Sequence, residues 1–279
     1  MTVLTPAHES ARPYLSETAQ SVLTQTMPAG WDLEWVVQAD GADAAVLRQS
    51  LPDDVRLKFD SHGAAIGPGA TRNLALARAR GTYIQNLDAD DLLLDGALAV
   101  VIDAFESHSD IHWTYAQADD LMPDGSRVAF QPWMTPTGRV AAGRLTAWME
   151  ENGGNVPVPC AAVAYRTTTL RALGGWMALP TGEDLGLLAA VSEITDGWQD
   201  PATTWLYRQH PGQISRHETQ TELSAVARRV ALQRISALRL TQTGVTGTAD
   251  ETDHAPRVAD VMKTPGDLDL HPAANLTAD

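Results

Sequence analysis

The sequence predicts an α/β fold on a mostly parallel, doubly wound sheet, and three observations carry that expectation. Short apolar runs alternate with amphipathic segments over roughly the first 110 residues, as happens when helices cross between parallel strands. Gly, Pro and Asp punctuate the runs, marking turns. Polar residues arrive where four of the runs end, and open parallel sheets bind ligands beyond the carboxyl ends of their strands.

Taken in order, TVLTP reads as a buried strand ended by Pro6. A helical pattern follows from about Tyr14 to Thr26, with Leu15, Ala19, Val22 and Leu23 on one face. LEWVVQADG is a second strand closed by the Asp40-Gly41 turn signal, residues 43–49 look helical, and VRLKF is a third strand. Gly67-Pro68-Gly69 opens the helix ATRNLALARAR, which stops at Gly81. YIQNL is the fourth strand, and a helix runs from about Asp95 to Glu106. The pattern then changes. DIHWTYAQADD reads as a strand, MPDGS as a turn, and 128–159 as irregular apart from a helix at Ala142 to Glu151. CAAVAYR (strand), TTTLRALGG (short helix), EDLGLLAAVSEI (helix), TTWLYRQH (strand) and a helix from Glu222 to Leu240 complete the order. Residues 241–279, rich in Thr, Asp, Gly and Pro, read as an acidic, extended or disordered tail.

Composition narrows the function. The formal net charge is -15, from Asp+Glu 35 against Lys+Arg 20, so nucleic acid and anionic membrane surfaces would repel the chain. Cys160 is the one cysteine, which rules out an intrachain disulfide and a cysteine metal site. The N-terminus lacks the basic-then-apolar layout of a signal peptide. The most apolar stretch, LLLDGALAVVIDAF, is broken by Asp95 and Asp103, so no membrane span is expected. A cytoplasmic protein is the expectation.

The densest feature is Asp88-Ala89-Asp90-Asp91 after the fourth strand. An EF-hand loop would need Gly and Glu where this chain has Leu93 and Ala99, so that reading fails. Helix-start carboxylates suit Asp91 and Asp95. They explain Asp88 and Asp90 poorly, because alternate residues of an extended segment project to one side. Such a pair suits a hard cation, Mg²⁺ or Mn²⁺, that also grips a diphosphate, or it suits a ribose. GPGATRN lacks the third glycine of a dinucleotide fingerprint and the Lys of a P-loop, and places Arg72 near these carboxylates. Glu183-Asp184 begins a helix, where acids complement the dipole, or else presents a general base at a cleft. His210, before the Pro211-Gly212 turn, is a structural histidine, a metal ligand or a phosphate contact.

In this order the segments VLTPAHE, VVQADG, GPGATRNLALARARGTYIQNLDADD, GGWMALPTGEDLGLL and YRQHPGQIS resemble the family 2 glycosyltransferases, inverting enzymes of GT-A fold. The resemblance spans about residues 2 to 216 and implies roles residue by residue. Pro6, His8 and Glu9 match the motif lining the nucleotide base pocket, and Asp40 the acid that commonly bonds the base. Arg72 matches the Arg near base or diphosphate. Asp88, Ala89 and Asp90 match the Asp-x-Asp motif, which contacts ribose and holds Mn²⁺ or Mg²⁺ on the diphosphate. Asp184, with Glu183 before it, matches the catalytic base, and His210 the late histidine near the metal. Two departures affect base recognition: Ala39 stands where many relatives carry a further Asp, and Glu9 where many carry Asn.

The resemblance implies a nucleotide-sugar-binding half at 1–110, an acceptor-binding and catalytic-base half at 111–240, and a tail outside both. It implies transfer from a nucleotide sugar, with a UDP-sugar preferred, to a hydroxyl of a soluble acceptor such as a small natural product or saccharide. Trp133 and Trp148 are candidates for shaping the acceptor side, and the acidic balance suits a cationic acceptor such as an amino sugar. Two alternatives stand beside this reading. A sugar nucleotidyltransferase would carry a Gly-rich, Arg-containing loop after the first strand, where this chain has Thr5-Pro6-Ala7-His8. A sugar-nucleotide-binding subunit without catalysis would have no need of Asp88, Asp90, Asp184 and His210 together. The sequence does not indicate an oligomeric state.

Overall fold

Alternate residues of the first strands divide between two cores. Val3, Trp35 and Val37 join one apolar cluster, and Leu4, Val36 and Ile84 join another. A period of two with both sets buried means a sheet covered on both faces. The computed structural model describes residues 1–41, 44–129, 137–213 and 220–242. Residues Met1–Arg239 group into one compact unit.

The chain runs β1 (Thr2–His8), α1 (Leu15–Leu23), β2 (Glu34–Asp40), α2 (Ala44–Gln49), β3 (Leu57–Ser61), α3 (Pro68–Arg78) and β4 (Tyr83–Asn86). Next come β5 (Leu92–Leu93), α4 (Ala97–Ser107), β6 (Trp113–Leu121), β7 (Arg127–Ala129), β8 (Gly138–Val140) and α5 (Arg144–Glu151). The last elements are β9 (Ala164–Arg166), α6 (Thr167–Ala172), α7 (Glu183–Ile194), β10 (Gly197–Arg208) and α8 (Gln220–Gln242). The sheet order is β3-β2-β1-β4-β9-β6-β10-β5, with β7 beside β6 and β8 beside β10. β3, β2, β1 and β4 are mutually parallel, as their crossover helices require. β9 lies antiparallel between β4 and β6, and β6 and β10 are parallel. This is the α/β, largely parallel architecture expected from the alternation.

Each face has its helices. Leu15, Ala19 and Val22 of α1 and Leu98, Val101, Ile102 and Phe105 of α4 bury against one. Ala75 and Leu76 of α3, Leu145 of α5 and Leu187, Leu188 and Val191 of α7 bury against the other. α8 adds Ala231 and Ile235 to a satellite cluster with Met149, Leu185 and Ala189.

Three local expectations are corrected. Pro6 does not end β1, which continues to His8. β4 pairs with β1 only as far as Leu4, so at Pro6 the strand has one neighbour and the missing N–H costs no ladder bond. CAAVAYR is not one strand: Cys160–Ala162 forms a 3₁₀ turn, and pairing is confined to Ala164–Arg166. Asp91 does not start a helix. α4 begins at Ala97 behind Gly96, whose φ of +78° only glycine adopts readily, and Asp91 is fully buried. Trp133 and residues 243–279 lie outside the described residues.

Candidate active site

The parallel register brings the first two candidate segments together, with His8 of β1 directly beside Asp40 of β2. β4 ends one strand over, and the Asp run follows it. These strand ends open into a cleft of about 740 Å³. Pro6, His8, Asp40, Arg72, Asp88, Ala89, Asp90, Glu183 and Asp184 all line it, although 178 positions separate the first of them from the last. Two candidates do not. Glu9 is exposed at the start of a 3₁₀ turn, Glu9–Ala11, whose Ser10 and Ala11 line the cleft instead. His210 stands behind the lining, 93% buried, with its ring 4.5 Å from that of Tyr14.

Arg72 is the hub. α3 projects it inward, 97% buried, and a guanidinium so deep needs acceptors for its donors. Nε donates to Asn86 Oδ1 at 3.0 Å, one terminal nitrogen to Asp88 Oδ1 at 2.5 Å, and the other to Glu183 Oε1. Its carbon lies 5.9 Å from the centre of the Trp176 ring. Burial opposes the charge, but Asp88, Glu183 and Asp184 outweigh it and hold the guanidinium more firmly protonated than usual. Arg72 therefore fastens the end of β4 to the start of α7. The next residue, Asn73, clamps the same region, bonding the backbone of Trp176 through both ends of its amide.

Asp40 is already engaged. Its two carboxylate oxygens accept the backbone N–H groups of Ile66 at 2.7 Å and Gly67 at 3.1 Å. This braces the loop leading into α3, so Asp40 shapes the pocket wall.

Asp88 and Asp90 face different partners. Asp88 turns to Arg72, whereas Asp90 Oδ2 accepts from His210 Nε2 at 2.9 Å. Burial and the neighbouring Asp88 raise the Asp90 carboxyl above its ordinary range, against the pull of His210. Asp91 is driven up further by burial and by both neighbouring carboxylates. Its Oδ1 accepts the Arg208 N–H at 2.9 Å, and the Arg208 side chain donates to the Asp90 carbonyl at 2.7 Å. Asp91 and Arg208 thus tie the Asp loop to the end of β10.

Glu183 and Asp184 open α7. Glu183 is buried against Arg72, and Asp184 is half-buried at the cleft wall. Burial first, and then the charges of Glu183 and Asp88, raise Asp184 to about 7 in spite of Arg72. One of its oxygens accepts the N–H of Leu185 at 2.8 Å.

Among the described residues, no group of three or more His, Cys, Asp or Glu side chains could hold a metal ion unaided. The donor set still fits Mg²⁺ or Mn²⁺. Such ions are commonly held by one or two carboxylates, with waters and substrate phosphates completing the shell. Asp90 is a crowded carboxylate whose charge lacks full compensation, which a cation would relieve. His210 then positions Asp90 by a hydrogen bond, a supporting contact common around metal ligands.

The sequence reading missed Trp205 and Tyr207, two residues apart on β10, which both line the cleft. Their spacing in TTWLYRQH put them on one strand face, but only the sheet order, which sets β10 beside β5, brings that face to the Asp loop. It also missed Cys160, which lines the cleft. Trp148 lies on α5 and is not among the lining residues.

With this geometry in place, comparison with known proteins is informative. The sequence model described as glycosyl transferase family 2 matches residues 2–133. An O-antigen biosynthesis protein of Myxococcus xanthus is 28% identical over 142 residues, covering 49% of this chain and 11% of that protein. A putative teichuronic acid biosynthesis glycosyltransferase of Bacillus subtilis (strain 168) is 36% identical over 93 residues, covering 33% and 36%. The chain thus spans well under half the length of these relatives. Among solved structures, S. aureus TarS 1-349 in complex with UDP-GlcNAc aligns with a TM-score of 0.61 at 19% identity, over 81% of this chain and 64% of that one. A mannosyltransferase from Pyrobaculum calidifontis in complex with GDP-Man and Mn²⁺ aligns at 0.54 and 16% identity, over 88% and 75%. The matched segment contains β1, β2, the α3 loop and the Asp run, the elements that build the strand-end side of the cleft; over these residues the chain is similar to glycosyl transferase family 2, and its fold is the GT-A fold.

Proposed function

We propose that the chain is an inverting glycosyltransferase that moves a sugar from a nucleotide-sugar donor to an acceptor hydroxyl, with Asp184 as general base. One observation carries this reading. A carboxyl raised to about 7 shares one cleft with the Asp88-Ala89-Asp90 pair, held to it through Arg72 and Glu183. A base poised near neutrality accepts a proton efficiently at physiological pH and is then ready for the next turnover.

In this reading the base and ribose occupy the cleft between Pro6, His8 and the Asp40-braced loop, and the diphosphate lies toward Asp90. A UDP-sugar is the preferred donor, a choice supported by the TarS complex with UDP-GlcNAc. A divalent metal, Mn²⁺ or Mg²⁺, held by Asp90 with help from Asp88 and with His210 behind it, would supply charge neutralisation at the leaving diphosphate. Asp184 takes the proton of the acceptor hydroxyl as that oxygen attacks the anomeric carbon from the face opposite the nucleotide. Arg72 holds Asp88 and Glu183 so that the donor and base sides keep one spacing. Residues 1–110 supply the donor side and 111–240 the base and acceptor side. The acceptor is a soluble hydroxyl compound, a small natural product or a saccharide.

The test is a thermal-shift screen of nucleotide sugars with and without Mn²⁺, followed by nucleotide release in the presence of candidate acceptors. A UDP-sugar that raises the melting temperature only with Mn²⁺, and is then turned over, supports the reading. Pyrophosphate release from a nucleoside triphosphate and a sugar phosphate would replace it with a nucleotidyltransferase.

A further inference from the structure

A second cavity, of about 240 Å³, adjoins the cleft, with Cys160 and Gly182 lining both. Its other walls come from the Asn155–Val156 loop, from Leu185 next to Asp184, and from Ser224, Ala227 and Arg228 of α8. A molecule reaching from it into the cleft would pass the proposed base.

The walls are fixed by close packing. At Gly182 a side chain would bring Cβ to 2.6 Å from Ala227 Cβ, and at Gly154, at φ +81°, to 2.8 Å from Arg228 Cβ. α8 therefore lies directly against the start of α7 and the loop after α5, and this approach holds Arg228 at the cavity.

Arg228 lacks the carboxylate partner that several other arginines have. In a chain of net charge -15, Arg72, Arg78, Arg127, Arg139 and Arg239 each pair with a carboxylate. The side chain of Arg228, partly buried and lining the cavity, has no hydrogen bond or ion pair among the described residues. Ser224, one helical turn earlier, lines the same cavity. Val156, Leu185 and Ala227 supply an apolar wall, and the amide of Asn155 is engaged with the Asn152 carbonyl at 2.9 Å. One guanidinium and one hydroxyl beside an apolar wall match a singly charged oxyanion attached to a carbon skeleton.

We infer that this cavity is an acceptor subsite, with Arg228 and Ser224 binding a phosphodiester or carboxylate group of the acceptor. The inference rests on the glycosyltransferase reading and replaces the expectation of a cationic acceptor with an anionic one. The local cation, rather than the overall acidic charge, sets the preference at contact distance, because a Debye length of about 8 Å at physiological ionic strength screens the distant carboxylates.

The test uses the full chain and calorimetric titration with glycerophosphoglycerol, glucuronate and their neutral counterparts glycerol and glucose, with a UDP-sugar and Mn²⁺ titrated separately. Saturable binding of one or both anions is expected, at least about tenfold tighter than the neutral counterpart. Arg228→Gln should lower that affinity by about tenfold or more, Arg228→Lys should restore part of it, and UDP-sugar affinity should not change. Which anion binds separates a phosphodiester from a carboxylate. Anions that bind neither protein, or both wild type and Arg228→Gln equally, would overturn the subsite. Preferred transfer to a neutral acceptor would overturn it too and leave the enzyme reading intact. Absent UDP-sugar binding with the anion arm preserved would instead remove the donor assignment, and with it the acceptor role of this cavity.

Discussion

Arg72 and Glu183 lie 111 residues apart and meet as a buried ion pair, with Arg72 reaching Asp88 by its other terminal nitrogen. One guanidinium thereby joins the acidic loop after β4 to the helix that carries the proposed base. Taking this cation away leaves Glu183 buried beside Asp88 and Asp184 without compensation.

Replacing Arg72 by Leu is expected to destabilise the fold by about 3–5 kcal/mol, the usual cost of stranding one partner of a buried pair. Arg72→Lys should recover part of this, because one ammonium cannot meet Asn86, Asp88 and Glu183 in the same fork. Urea denaturation measures both, and equal stability of Arg72→Leu and wild type would refute the hub.

Asp184→Asn should reduce turnover by about 10²–10⁴-fold while donor affinity stays within a few-fold, since the lost group acts on the acceptor proton. Nucleotide release with a confirmed acceptor, alongside calorimetry with the donor, separates the two effects. Near-wild-type turnover would move the base elsewhere.

The pH dependence has a definite sign. The acid form of Asp184 cannot accept a proton, so kcat/KM should rise with pH through about 7 and then level. A raised carboxyl also binds its proton more tightly folded than unfolded. Its contribution to stability is therefore intact below the ordinary carboxylate range and lost as pH rises through about 7. In Asp184→Asn both this loss and the acidic limb of the rate profile should be absent.

Chelation by EDTA is expected to abolish transfer, and Mn²⁺ or Mg²⁺ to restore it. With the donor at about 100 times its Kd, binding should stabilise the native state by about 2.7 kcal/mol, visible as a rise in melting temperature. Asp90→Asn should remove the metal-dependent part of that rise. His210→Ala should weaken it less, because His210 acts by holding Asp90 Oδ2. Full activity without divalent metal would end the role given to Asp90.

Asn73 offers a control outside the chemistry. Asn73→Ala loses both hydrogen bonds to the Trp176 backbone and should cost about 1–3 kcal/mol of stability. Denaturant midpoints check this, and an unchanged midpoint would show that the clamp contributes nothing.

The sequence by itself determined the order of the longer strands and helices, because period-two and period-3.6 patterns are local properties of the chain, and it missed the short strands β5, β7 and β8. Most of the site residues it singled out gather in the cleft, since strand ends are legible where apolar runs give way to Asp40 and Asp88. It misplaced Asp91, whose burial follows from its partner Arg208 of β10, 117 residues away. Tertiary structure alone decided that Asp40 braces a loop, that Glu9 stays outside, and that Trp205 and Tyr207 enter the cleft. It also decided that Arg228 faces a second cavity. Contacts of that kind depend on which elements become neighbours. Sheet order and close helix approach set those neighbours by burying both faces of the sheet at once, and no local stretch of sequence encodes them.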